Sequence, residues 1–110
     1  MIRVAFSIGS VMRYRPNLPA RDRGYLEFIR RFPCIGCGAT YWIEAMHTGP
    51  HGLGQKASDF DALPGCRACH RTGPQALHRI GPVDFQTLRR VSFPDLIRYF
   101  NHLWETEKTA

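Results

Sequence analysis

At 110 residues the chain makes one small domain, whose core is limited enough to benefit from a metal staple. No apolar run approaches the roughly 20 residues that a membrane helix needs, and Val4 to Ile8 is too short for the apolar core of a secretory signal, so the expectation is a soluble cytoplasmic protein with reduced thiols. Fifteen Lys and Arg against nine acids give a formal charge of +6, and thirteen of the fifteen are Arg, whose planar forks suit phosphate oxygens; nucleic acid is the expected partner, against a merely soluble basic surface.

The charge is uneven, with seven Arg and two acids in residues 1–33 and a net negative segment over 94–110. Met1 to Ile8 has strand composition. With Pro16 and Pro19 beyond it, the stretch 1–21 reads as a basic arm ahead of a single domain over 22–110. Asp22 then caps a helix from about Arg23 to Phe32. Tyr25, Leu26, Ile29 and Phe32 recur at helical spacing and face inward. Arg21, Arg23, Arg30 and Arg31 are left outside, the last three as candidate nucleic-acid contacts. Pro33 stops the helix.

Cys34-Ile35-Gly36-Cys37 follows and is answered by Cys66-Arg67-Ala68-Cys69; these pairs hold all four cysteines of the chain. Two residues between cysteines let a tight turn aim both thiolates at one ion. Two such pairs make the closed tetrahedral site of a structural Zn²⁺, a reading that outweighs disulfides or a redox pair.

Between the pairs, Tyr41 to His47 is rich in β-formers and predicts a strand. A glycine-rich loop (Gly49, Gly52, Gly54) leads to a second short strand, Phe60 to Leu63, which Pro64-Gly65 closes. The segment is therefore a β-hairpin with a long loop. A short helix should begin near the second Cys pair and break at Gly73-Pro74, with Pro74 in the first turn of a segment carrying His78. Pro82 to Arg90 predicts another helix. Ser92-Phe93-Pro94-Asp95 starts a last one, with Leu96, Ile97, Phe100, Leu103 and Trp104 on its apolar face. Tyr25, Phe28, Trp42 and Trp104 are assigned to the core. The fold class is α+β, a zinc-stapled core with flanking N- and C-terminal helices.

A hairpin followed by a helix, with His47 at the strand end and His70 and His78 beyond, suits holding a divalent ion against a scissile phosphate. Phosphodiester hydrolysis needs a base to activate water and a cation for the developing charge and the leaving oxygen. A histidine near its unperturbed pKa can be that base near neutral pH.

The runs Glu44 to Gly49, Gly52 to Asp59 and Leu63 to Arg71, then His78 to Gly81 and Phe85, resemble the HNH or ββα-metal endonucleases. The likeness is to their phage and prophage branch with a zinc-knuckled core, and it covers about residues 22–86. It implies a treble-clef-like ββα-metal core over 34–81 and metal-dependent hydrolysis of DNA, with a phage or prophage origin. His47 would be the general base, and His70 and His78 ligands of a catalytic Mg²⁺ or similar ion. Either Asp59 or Asp61 would orient His47 or help hold the ion, with Asp59 preferred. Met46 stands where many members have a ligating Asp or His.

Arg67, Arg71, Arg79 and Lys56 flank this site as candidate phosphate contacts. A continuous helix would place His70 and His78 about 80° apart around its axis, so their convergence requires the break at Gly73-Pro74. The residues leave a second reading open: a catalytically inactive zinc-dependent module that binds nucleic acid or protein.

Overall fold

The computed structural model describes residues 21–49 and 57–109; the expected strand and arm over 1–20, most of the glycine loop and Lys56 lie outside the described residues. Helix α1 (Arg23–Ile29) starts where the sequence predicts, with Asp22 Oδ1 accepting the Tyr25 amide at 3.0 Å. It ends three residues early. The amides of Arg31 and Phe32 reach back only three residues, to Phe28 and Ile29. This tightening leaves the helix before Pro33, whose ring disfavours helical backbone in its predecessor.

Strands β1 (Ile43–His47) and β2 (Ala62–Cys66) form a two-stranded antiparallel sheet, pairing Ile43 with Cys66 and His47 with Ala62. Two expectations are corrected here. β1 begins at Ile43, not Tyr41, because Trp42 takes a φ of +56°, a left-handed conformation rare for a bulky residue. Tyr41 and Trp42 consequently leave the sheet, 66% and 67% exposed, so Trp42 is not a core residue.

β2 starts and ends later than predicted. Phe60 belongs to a 3₁₀ turn over Asp59–Asp61, capped by Ser58 Oγ, which accepts the Phe60 amide at 3.1 Å. Pro64 and Gly65 lie inside the strand. In a two-stranded sheet each strand has an unpaired edge, where the missing proline N–H costs nothing. The Pro64 carbonyl accepts the Ile35 amide at 3.0 Å, which ties the first cysteine turn to that edge. Gly65 makes room for Met46, since a Cβ there would lie 2.7 Å from Met46 Sδ.

A π-helical turn (Ala68–Thr72) follows β2 and stops at Gly73, the predicted break. Pro74 does not open the next helix. Helix α2 (Leu77–Arg89) begins after Ala76 and joins the His78 segment to the predicted Pro82 helix across a kink at Gly81. Gly81 holds φ +87°, a conformation glycine adopts without steric cost. Pro82 then opens the second half as a first-turn proline. Helix α3 (Phe93–Thr109) is capped by Ser92 Oγ, which accepts the Asp95 amide at 3.3 Å.

One apolar cluster joins these elements: Tyr25, Phe28 and Ile29 of α1, Met46 and Leu63 of the hairpin, Phe85, Phe93 and Phe100 of the later helices. Cys34, Cys66 and Cys69 belong to the same cluster. All five residues of β2 are buried. Leu96, Ile97, Leu103 and Trp104 pack on the cluster as α3's apolar face predicts. Asn101 of α3 closes the assembly, its Nδ2 donating to Tyr25 Oη at 2.8 Å and to the Phe60 carbonyl at 2.9 Å. The architecture is α+β. No helix among the described residues is long and apolar enough to cross a membrane.

Candidate metal centre and hydrolytic site

The four cysteines converge. Their Sγ atoms all lie within 4.8 Å of one another, and Cys37 Sγ is 3.7 Å from Cys66 Sγ. Zinc–sulfur bonds of about 2.3 Å at tetrahedral angles give sulfur–sulfur edges of about 3.8 Å. All four are free thiols, so the cluster fits a structural metal such as zinc. Its N–H donors are those a thiolate set wants: Gly36 N to Cys34 Sγ at 3.2 Å and Cys69 N to Cys66 Sγ at 3.4 Å.

Burial alone would raise the Cys34 thiol, but the backbone amides of Cys66, Cys37 and Gly36 outweigh it and bring it down to about 7. Burial pushes Cys66 and Cys69 up, and the neighbouring Cys34 charge adds to that. A cation at the centre relieves this repulsion.

Arg89 is a participant that spacing rules do not reveal. It reaches in from α2, twenty residues past Cys69, and its Nη2 lies 3.6 Å from Cys69 Sγ. Its guanidinium covers the Phe85 ring at 5.2 Å, and its buried Nε has no hydrogen-bond partner among the described residues. A Cβ on Gly36 would stand 3.0 Å from Cys69 Sγ and 3.3 Å from Arg89 Nε, so glycine permits this approach.

At the end of β1, His47 Nε2 is 2.8 Å from Asp59 Oδ1. Asp59 is buried, while the His47 side chain is 29% exposed. The same carboxylate accepts the Asp22 amide at 2.8 Å and Arg21 Nη1 at 3.2 Å. Burial alone would raise the Asp59 carboxyl; the His47 and Asp22 hydrogen bonds, with Arg21 alongside, outweigh it and hold it below the usual carboxylate range. Asp61 behaves differently: burial raises it, against the pull of His47. It packs where a Cβ on Gly49 would stand, 2.1 Å from its Oδ2, and its carbonyl accepts the Thr48 hydroxyl at 2.8 Å.

A second group lies around Glu44. His70 Nδ1 is 2.8 Å from Glu44 Oε1, and Arg71 grips both oxygens, at 3.0 Å and 2.7 Å. Arg71, then His70, hold the Glu44 carboxyl down to about 2 against the effect of burial. The native carboxyl thus sits lower than in the unfolded chain, so these bonds contribute stability above about pH 4.3 that is lost as pH falls toward about 2. Burial lowers His70, which favours the neutral ring. The break at Gly73 brings His78 beside it, with ring centroids 4.5 Å apart.

Among the described residues no further set of three His, Cys, Asp or Glu ligand atoms gathers as the cysteines do. Alternation along β1 sends Glu44 and Met46 to one face and His47 to the other, so a phosphate shared by His47 and the His70–His78 pair would have to span the strand end. Met46 is fully buried in the core and offers nothing to an ion. The neighbouring His70 and His78 rings offer two imidazoles, a donor set that would suit Mn²⁺ or Zn²⁺ better than the oxygen-seeking Mg²⁺.

The candidate phosphate contacts divide. Arg23, Arg30 and Arg79 are exposed. Arg31 pairs with Glu107, Arg71 is committed to Glu44, and Arg67 lies 3.8 Å from Glu44 with its guanidinium over Trp42 at 5.1 Å. No family model, curated protein or solved structure matches the chain.

Proposed function

We propose that this chain is a metal-dependent endonuclease of the HNH type, with a ββα-metal core, that hydrolyses DNA phosphodiesters, and that it derives from a phage or prophage. The observation that carries the reading is the pairing of part-exposed His47 with buried Asp59 at the strand end. An ionised Asp59 keeps the imidazole proton on Nε2, which leaves Nδ1 as the nitrogen that takes a proton from water. Asp59 is itself anchored by Arg21 and the Asp22 amide, which holds in place the carboxylate that orients the ring.

Glu44 does the corresponding work for His70. It accepts the Nδ1–H hydrogen bond and leaves Nε2, with His78 adjacent, to hold a divalent ion. When bound, the ion supplies positive charge to the phosphoryl and leaving oxygens. The exposed Arg23, Arg30 and Arg79 supply sequence-blind attraction to the backbone, which weakens steeply with salt.

The test is supercoiled plasmid incubated with Mn²⁺: the reading expects nicked product that EDTA suppresses. The two-imidazole ligand set and the buried Met46 favour the rival, a zinc-dependent binding module. Tight, EDTA-tolerant DNA binding with no cleavage selects it.

Glu44→Gln separates orientation from charge at His70. It replaces the carboxylate that fixes the Nδ1–H tautomer with a neutral amide, which can turn either C=O or N–H to the ring, and is expected to weaken Mn²⁺ binding about 10–100-fold by titration calorimetry, with zinc content unchanged. Unaltered Mn²⁺ affinity removes Glu44 from the site.

A further inference from the structure

We propose that Tyr41 and Trp42 form a stacking platform for an unpaired nucleic-acid base, so that this protein engages single-stranded or opened DNA beside its cysteine cluster. The inference rests on the nucleic-acid part of the proposed function and not on cleavage. These two rings are among the most exposed large apolar side chains described. They sit edge to face, centroids 5.7 Å apart, so Tyr41 braces Trp42.

Their position is built. Trp42 holds φ +56° although nothing about the residue favours that conformation, and the effect is to turn the indole out of the sheet. Its carbonyl accepts the Arg67 amide at 3.1 Å, and Ile43 after it pairs with the cysteine ligand Cys66. An exposed tryptophan is thus tied through the backbone to the strand that carries Cys66.

The surroundings select the ligand. Arg67 covers one face of Trp42 at 5.1 Å and stays half exposed, which leaves the other face for a base with a cation close by for its phosphate. Two rings edged by arginine are too little apolar area for a stable protein interface. They match the aromatic-plus-cation chemistry that holds unpaired bases, which accepts any base because every base has a π-face. In an intact duplex those faces are covered by neighbouring bases.

The experiment uses the full-length zinc-loaded protein and two probes, a short oligo(dT) and a duplex of equal length. The wild type should bind both, with oligo(dT) quenching tryptophan emission more strongly than the duplex does. Trp42→Ala should weaken oligo(dT) binding about 10-fold or more and leave duplex binding within 2-fold. Trp42→Phe, which keeps a π-face, should retain most of the affinity.

Oligo(dT) affinity unchanged in Trp42→Ala overturns the platform. So does an equal loss for both probes, which marks a general effect. A wild type that binds neither probe overturns the platform together with the nucleic-acid reading, whereas duplex binding and nicking that survive a failed oligo(dT) result leave that reading standing.

Discussion

Cys66→Ser is expected to unfold the protein, and so is stripping the metal from the wild type. Three of the four cysteines are buried within the main apolar cluster, and the pairs come from the turn after α1 and from the end of β2. Without an ion, those thiols must sit together with no bond joining them. A structural zinc contributes about 10–16 kcal/mol to folding in small domains, as much as the whole net stability of a typical domain. Metal analysis should return one zinc per chain. Cys66→Ser should lose its helical circular dichroism and its dispersed amide spectrum. A zinc-free Cys66→Ser protein that stays folded contradicts the four-thiolate assignment.

The second large effect falls on chemistry instead of stability. His47→Ala should reduce plasmid nicking by about 10²–10⁴-fold, the range for loss of a general base. Zinc content should not change, and the unfolding midpoint should fall only modestly, because the side chain is partly exposed and lies outside the apolar cluster while buried Asp59 keeps Arg21 and the Asp22 amide.

Asp59 needs a gentler substitution. Asp59→Ala would leave the part-buried Asp22 amide without this acceptor, at about 1–3 kcal/mol, and would release His47, while half-exposed Arg21 keeps the Ala57 carbonyl. Asp59→Asn keeps the shape and removes the charge, so it should lower nicking, with some loss of stability because its amide nitrogen faces a donor where an oxygen accepted. Wild-type nicking by His47→Ala would remove that residue from the reaction.

What the sequence made legible was local. The Asp22 and Ser92 caps, the break at Gly73 and the two Cys pairs each rest on a few adjacent residues, and the structure has them in place. The resemblance leaves Asp59 and Asp61 both open beside His47 with Asp59 preferred, and it is Asp59 that the structure pairs with the ring. The misread elements depend on distant partners. Pro64-Gly65 reads as a terminator, but the first cysteine turn and Met46 make it the middle of a strand.

Trp42 reads as core because its composition is that of a strand; its exposure follows from one backbone angle that composition does not encode. Glu44 and Arg89 lie 26 and 20 residues from the groups they serve, at spacings with no motif attached.

Anomalous diffraction from crystals soaked in Mn²⁺ tests the two-centre account most directly. The prediction is one zinc peak at bonding distance from Cys34, Cys37, Cys66 and Cys69, and a separate manganese peak held by ring nitrogens of His70 and His78. Manganese bound away from both imidazoles, or a sulfur cluster with no zinc, would contradict it.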